Sequence, residues 1–285
     1  MATPVWFSGF EGWPDTPNAN GAGLANSFNG GTFSVSTAQA HTGARSLRFN
    51  PAATNCWIGL TLSSPTIIVV RLYLYFAALP TSDSVLFFGH VSAGLPLRID
   101  FNFANSRIDA SVGGGGTQTG MTITTGTWYR VEARMNCANG GNSTIDWGVA
   151  AGDASLTNYT QVSVAQTNTT FLALRLGTTA SESFDMYMDD VFVSVTSGDY
   201  PIGPGGTERL APTADGTHNA GTNVIEDNAG TDIGTTTAYD KLNSVPPSST
   251  AYIKQVANGT GNYAEIQFGN ITATHAAILA ARAYL

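Results

Sequence analysis

Charged side chains are scarce in this sequence. It has 12 Lys and Arg and 20 Asp and Glu among 285 residues, or 11%, against roughly 25% in ordinary soluble proteins. The formal net charge is −8, and a nucleic-acid-binding protein would instead need a basic patch. The sequence therefore predicts no nucleic-acid partner.

Long apolar runs are also missing. No stretch approaches the ~18 uncharged apolar residues of a membrane span, and residues 1–6 lack the basic and apolar regions of a secretory signal. Disorder is not expected either, because 14 Phe, 10 Tyr and 5 Trp are spread along the chain. We expect a folded protein without a membrane partner.

Cysteine and histidine are rare and widely spaced. Cys56 and Cys137 are the only cysteines, and their separation matches no metal-binding motif. Two buried free thiols are the simpler interpretation, with a disulfide across the fold as the alternative. The four histidines form no HExxH-like metal arrangement.

No constellation of catalytic acids and bases is visible along the chain. Glycan hydrolysis needs two carboxylates roughly 5–9.5 Å apart, which on one strand means acidic residues at i and i+2. Asp100, Glu132 and Asp146 each stand alone among apolar or basic neighbours, as solvent-facing strand charges would. The sequence therefore predicts a protein that is not an enzyme.

Turn-forming residues divide the chain into two parts. Residues 198–206 contain four Gly and two Pro, a composition that neither a strand nor a helix tolerates. We interpret 198–206 as a linker between a first domain, 1–197, and a smaller β-rich domain, 207–285, that serves attachment or assembly. The apolar end at Leu285 favours a second domain that is truncated in this sequence.

Residue patterns in the first domain have a period of two. Leu97, Ile99, Phe101 and Phe103 alternate with polar residues, and the segment 129–135 alternates in the same way. Such alternation is typical of antiparallel strands with one buried face. About ten such strands, separated by Gly-rich turns and without a convincing helix, predict an all-β sandwich of two sheets.

Several segments in order resemble the concanavalin A-like (laminin G-like) jelly rolls of tailed-phage virion proteins. They are Phe10–Trp13, His41–Phe49, Val70–Phe76, Thr125–Glu132 and Tyr187–Val193. The segments 210–216 and 245–253 resemble a small domain that often follows this jelly roll in phage structural proteins. The same frame is also similar to the carbohydrate-binding jelly rolls of glycanases.

The resemblance implies candidate site residues. In the carbohydrate-binding relatives an opening Glu and a closing Asp hold a structural calcium, so Glu11 with Asp189 or Asp190 would bind Ca²⁺ here. On a regular strand one of the two aspartates would face inward and need a partner. Arginine or backbone amides are the alternative partners. Trp13 and Trp57, near loops, are candidate platforms for a sugar ring, and Trp128 is expected in the core.

Together these observations predict a virion structural protein of a tailed bacteriophage, most simply a capsid decoration or minor capsid protein. The alternative is a tail or fibre adhesin whose jelly roll binds host-surface carbohydrate. The expected location is the surface of the virion, and the expected partners are other virion proteins and further copies of this chain. Apart from the candidate calcium, no cofactor is expected.

Overall fold

The computed structural model describes residues 4–11, 27–29, 33–51, 56–91, 96–113, 116–137, 141–165, 170–178, 183–206, 212–219, 225–227, 253–255 and 263–268. In these residues nearly all regular structure is β. The first eight strands are β1 (Pro4–Ser8), β2 (Ser27–Asn29), β3 (Phe33–Ser36), β4 (Ser46–Phe49), β5 (Cys56–Thr61), β6 (Ile67–Ala78), β7 (Ser84–Val91) and β8 (Leu97–Asn102). The next eight are β9 (Arg107–Val112), β10 (Gly116–Gln118), β11 (Trp128–Asn136), β12 (Asn142–Ala151), β13 (Thr157–Asn158), β14 (Val162–Ala165), β15 (Phe171–Thr178) and β16 (Asp185–Ser194).

These sixteen strands form two antiparallel sheets. The nine-stranded sheet has the order β13-β12-β11-β6-β16-β4-β3, with β1 on β16 and β14 on β12. The seven-stranded sheet has the order β10-β9-β8-β7-β15-β5-β2. The sequence prediction of a β-sandwich is thereby confirmed, and so is its alternation in β8, where Leu97, Ile99 and Phe101 are buried.

One apolar core lies between the two sheets. Its members come from every second residue of the long central strands, such as Leu72 and Leu74 of β6 or Val131 of β11. Each such side chain contributes about 1.5–3 kcal/mol when it leaves water. Cys56 and Cys137 lie in this core as free thiols, so the simpler interpretation of the two cysteines is confirmed.

Residues 212–268 contribute four further strands in two small sheets. β17 (Pro212–Asn219) pairs with β20 (Tyr263–Phe268), and β18 (Ile225–Asp227) pairs with β19 (Ile253–Gln255). The expected β-rich character of this part is confirmed. The only helical turns among the described residues are two short 3₁₀ turns, Phe103–Asn105 and Ser197–Asp199, and no helix there is long and apolar enough to cross a membrane.

Candidate functional site

The side of the seven-stranded sheet that is turned away from the core, its outer face, carries the main polar site. The hairpin of β8 and β9 pairs Asp100 with Asp109 and Arg98 with Ser111. Because the neighbours of these residues along each strand point into the core, all four side chains stand on the outer face. Along the sequence Asp100 has no acidic neighbour at i+2. In the structure Asp109 lies directly opposite it on the adjacent strand.

These side chains form one hydrogen-bonded group. The Arg98 Nε and Nη2 atoms donate to Ser111 Oγ over 3.2 and 3.1 Å, and the Ser111 hydroxyl donates to Asp100 Oδ2. Asp109 is held on the opposite side by Arg107, with Nε to Oδ1 at 2.6 Å and Nη2 to Oδ2 at 2.8 Å. Both carboxylate oxygens of Asp109 therefore accept a hydrogen bond from Arg107, whereas only Oδ2 of Asp100 accepts one from the described residues.

The surroundings of the Asp100 carboxyl disfavour its ionised form. Its Oδ1 atom is buried and has no hydrogen-bond partner in the described part of the chain. Burial raises the pKa of Asp100 to about 6, with Asp109 and Asp83 adding negative charge, and Arg98 and Ser111 only partly offset this. An acid that titrates near neutrality in a polar depression has the property of a functional residue.

A cavity of about 360 Å³ opens beside Asp100. We call it the trough; it is lined by Asp83, Ser84, Val85, Arg98, Asp100, Phe101, Asn102, Asp109 and Thr117. Most of these lining residues are polar or charged, and Val85 and Phe101 are the apolar ones. This mixture is typical of sites that orient a polar ligand.

Phe103 directly follows Asn102, one of the residues that line the trough. The sequence pattern placed it in the core, but β8 ends at Asn102 and Phe103 begins a 3₁₀ turn, where its side chain is 52% exposed. Its backbone N–H donates to Asp83 Oδ1 at 2.8 Å, and the Asn102 side chain caps the turn. The turn therefore holds an exposed aromatic ring in a defined position.

Beyond β8 the same outer face becomes aromatic. Phe88 pairs with Arg98 on one side and with Arg175 on the other. The Arg175 guanidinium lies 4.2 Å from the centre of the Trp57 ring and 5.6 Å from that of Phe88. Trp57 is only 7% exposed, so the prediction that it is an open sugar platform is wrong: an arginine covers its face.

The other predicted aromatic residues have different outcomes. Trp13 lies outside the described residues. Trp128 was expected in the core, yet it begins β11 on the outer side of the nine-stranded sheet and is half-buried, with its ring against those of Tyr75 and His41. Phe103 was missed, because strict alternation was extended one residue past the end of its strand.

Asp189 and Asp190 depart from the strand geometry that the sequence suggested. A β-bulge interrupts the pairing of β16 with β6 after Asp189, and Asp190 has φ 48°, a left-handed conformation that Asp tolerates better than most residues. Met188 and Val191 on either side face the core. The expectation that one aspartate faces inward on a regular strand is wrong, because the bulge turns both toward residues 41 and 42.

Backbone amides and a histidine satisfy the two carboxylates. His41 N–H donates to Asp189 Oδ2 at 2.8 Å, His41 Nδ1 lies 2.7 Å from Asp190 Oδ2, and the Thr42 hydroxyl donates to Asp190 Oδ1 at 2.7 Å. Burial, followed by the charge of Asp190, raises the pKa of Asp189 well above its usual range. Asp189 and Asp190 therefore hold the loop before β4 against β16.

Glu11 acts on the same loop. Its Oε1 atom accepts from the backbone N–H groups of Ala44 and Arg45 at 2.8 and 2.9 Å, and burial raises the pKa of Glu11. Among the described residues no group of three or more His, Cys, Asp or Glu is arranged to hold a metal ion. The donor set fits the backbone-amide alternative better than calcium, and the calcium site stays a prediction.

Residues 197–206, which we call the strap, lie on the outer face of the nine-stranded sheet. Glu132 accepts the N–H of Ile202 at 2.6 Å and that of Gly203 at 3.1 Å, and Gly205 N–H donates to the Tyr73 hydroxyl. Glu132 and its ion-pair partner Arg130 are 0% and 2% exposed. The expectation that Glu132 faces solvent is wrong, because the strap covers it.

No protein-family profile and no curated protein matches this sequence. The fold does match solved structures. An endo-β-1,4-glucuronan lyase from the fungus Trichoderma reesei is similar over 72% of this chain and 100% of its own, with 13% identity and a TM-score of 0.52.

Two more distant structures are an alginate lyase from Aplysia kurodai and a sialidase from Trypanosoma rangeli. The first is 13% identical over 67% of this chain and 99% of its own, with a TM-score of 0.45. The second is 13% identical over 57% of this chain and 27% of its own, with a TM-score of 0.41.

The prediction that the chain is not an enzyme is contradicted by the comparison with the glucuronan lyase, which is by its name an enzyme. The structure also contradicts the reason for that prediction, which was the absence of neighbouring carboxylates. The sequence argument looked for paired carboxylates along one strand, whereas Asp100 and Asp109 meet across two strands. At 13% identity the likeness to the glucuronan lyase shows the fold alone, and it transfers neither an activity nor a substrate.

Proposed function

We propose that this protein binds a polysaccharide chain along the outer face of the seven-stranded sheet, with a sugar ring stacked on Phe103. The observation that carries the proposal is this exposed ring in a turn whose capping residue, Asn102, lines the polar trough. An aromatic ring offers a flat apolar surface, and a sugar ring has one face of C–H groups to lay on it.

The trough supplies the polar half of such a contact. Arg98 donates hydrogen bonds, Asn102 both donates and accepts, and Asp83 and Asp100 accept. Sugar hydroxyls both donate and accept, so a mixed wall of this kind satisfies them where a uniformly charged wall would not. The combination of an apolar surface and a few placed polar groups is what ligand sites generally show.

The comparisons support the proposal without fixing its ligand. The glucuronan lyase, which acts on a polysaccharide by its name, shares the fold over its whole length. Fold does not determine function, so the substrate of this chain has to be found by experiment.

Replacement of Phe103 tests the proposal. We expect the wild-type protein to bind at least one of glucuronan, alginate and a neutral β-glucan in calorimetry, and Phe103→Ala to weaken that binding about tenfold, or ~1.4 kcal/mol. Val5→Ala is the matched control, because Val5 is similarly exposed, at 49%, but lies on the other sheet. Absence of binding to all three glycans, or equal loss in both variants, contradicts the proposal.

The same mixtures separate binding from cleavage. If the trough also carries out a reaction, the bound glycan becomes shorter with wild-type protein and not with Asp100→Asn. If the length of the glycan stays unchanged, the protein binds the polysaccharide without cleaving it.

We also propose, from the sequence resemblance, that this jelly roll belongs to a tailed-phage virion, as a decoration protein or a tail or fibre adhesin. The strap favours a displayed module, because it fixes the point at which the chain leaves the sandwich toward residue 207. Purified particles of the source phage should contain the chain in a fixed number of copies. Its absence from such particles would exclude this assignment.

A further inference from the structure

Among the arginines that the structure describes, Arg175 is the one without a hydrogen bond or an ion pair. It lies on β15, half-buried, on the outer face that also holds the trough. Its guanidinium rests on the Trp57 ring at 4.2 Å, so one face of the guanidinium plane is covered. A stacked guanidinium keeps its N–H edge free to donate in the plane.

Every other described arginine has a hydrogen bond or charged partner. Those with a carboxylate partner are Arg48 with Asp185, Arg98 with Asp100, Arg107 with Asp109, Arg130 with Glu132 and Arg134 with Asp146. Arg71 donates to two backbone carbonyls, and Arg45 is also engaged. Arg175 has neither a hydrogen bond nor an ion pair within the described ranges, and its Nε atom is buried and unpartnered.

An unpaired guanidinium in this position needs a physical explanation. Burial lowers the pKa of Arg175, which means that the environment disfavours its charge. The buried Nε atom also lacks the hydrogen bond that buried polar groups nearly always have, while the side chain as a whole is only partly buried and remains open to a ligand. In a chain of net charge −8, a partner carboxylate would have been easy to supply from within.

The surroundings suit an incoming anion. Arg98 lies in the same cross-strand row, with Phe88 between the two arginines, so the backbones of the two arginines are two strand spacings, or about 10 Å, apart. His90 is on the same strand as Phe88, and burial and then the charge of Arg175 lower its pKa. Asp100 lies in the neighbouring cross-strand row, opposite Asp109, and Arg98 and Ser111 already engage it.

We propose that Arg175 binds an oxyanion group of the glycan, so that the ligand of this face is an acidic polysaccharide. This inference rests on the proposed function, because it gives the polysaccharide proposed to bind along this outer face an acidic group at the position of Arg175. The planar guanidinium donates two parallel hydrogen bonds to a carboxylate. Carboxylate and sulfate share this chemistry.

Glucuronan and its carboxyl-reduced form, which have the same backbone with and without charge, test the inference. We expect the wild-type protein to bind glucuronan at least tenfold more tightly than the reduced chain. Arg175→Gln should abolish this preference, and Arg175→Lys should restore it only in part, because lysine keeps the charge but loses the stacked fork. A sulfated neutral glucan, bound more tightly than glucuronan, would identify sulfate as the natural group.

Arg48→Gln is the matched control. It removes the same charge from the nine-stranded sheet, where Arg48 pairs with Asp185, and it should leave the preference unchanged. A purely structural role for Arg175 predicts a lower melting temperature in Arg175→Gln; an unsatisfied ligand residue predicts a melting temperature that is unchanged or higher.

Two outcomes overturn the inference and are distinguishable from failure of the proposed function. If Phe103→Ala weakens glucuronan binding while Arg175→Gln does not, the polysaccharide site stands and the anion site is wrong. If wild-type protein binds both glucuronan forms equally, the ligand is not selected by charge. If neither form nor any other glycan binds, the proposed function itself fails.

Discussion

The Asp100 carboxyl shows how position on a sheet can make one acid differ from its neighbours. Asp109, directly opposite, receives two hydrogen bonds from Arg107 and one from the Gly120 amide. Asp100 receives one from Ser111 and a longer contact of 3.4 Å from Arg98. The same residue type is therefore fully compensated on β9 and undercompensated on β8, which is a common way to create an acid that titrates near neutrality.

Asp100 should make the free energy of unfolding depend on pH. Its pKa is about 6 in the folded state and ~3.9 in an unfolded chain, so the folded state binds the proton more tightly. Its stabilising contribution is present below pH ~4 and is lost as the pH rises to about 6. We expect Asp100→Asn, measured by urea denaturation, to be more stable than wild type at pH 7 by about 3 kcal/mol, since each pKa unit corresponds to about 1.4 kcal/mol, and nearly equal to it at pH 4.

In Asp100→Asn the free energy of unfolding should depend less on pH, but the dependence will not vanish, because burial also raises the pKa values of Glu11 and Asp189. Asp153→Asn is the control, since the Asp153 side chain is 63% exposed. A variant of Asp100 that loses stability at pH 7 would show that the carboxylate form is needed for folding.

At the scale of strands, the sequence predicts the faces well and the partners poorly. Alternation correctly identified the residues of β8 and β11 that face the core, because successive side chains of a strand point to opposite faces. The pairing of Asp100 with Asp109 depends on register, which alternation does not contain. The pairing could nevertheless have been predicted from the position of the turn at residues 103–106. If Asn102 pairs with Arg107 across this turn, the residues two positions further along each strand are Asp100 and Asp109.

The bulge at Asp189 and the strap could not be read from the same pattern. A bulge adds one residue to one strand, and nothing in the segment 187–193 marks which residue is added. The strap is rich in Gly and Pro, which correctly exclude a strand or helix but do not exclude docking. Glu132 binds its backbone amides, an interaction that the composition of the strap does not reveal.

The strap should depend on Glu132. Glu132→Gln removes the charge that holds two amides and leaves Arg130 without its ion-pair partner, and breaking a buried pair in this way costs about 3 kcal/mol or more. We expect a lower melting temperature, together with faster hydrogen exchange at the Ile202 and Gly203 amides. The Gly152 amide, which donates to the Trp128 carbonyl at 2.8 Å, is the internal control.

Faster exchange that is equal at Gly152 and at the strap would indicate global unfolding only. Unchanged exchange at Ile202 and Gly203 would contradict the role of Glu132, because their hydrogen bonds would then have other acceptors.

Across the whole molecule, the sandwich is stabilised by its apolar core without a covalent link. Cys56 belongs to β5 of the seven-stranded sheet, and Cys137 follows β11 of the nine-stranded sheet. Both are free and buried among apolar residues. A domain of this size buries enough surface to be stable without a disulfide, so the two sheets are joined by packing alone.

The two thiols therefore report on the integrity of the whole sandwich. Burial raises the pKa of each to about 12, and the thiolate is the form that reacts, so neither should react with iodoacetamide in the native protein at pH 8. Denaturant that unfolds the sandwich should expose both together, and the labelling midpoint should coincide with that of Trp fluorescence. Because Cys56 and Cys137 come from different sheets, labelling of one before the other would show that the sheets separate or fray independently, and that the core is not a single cooperative unit.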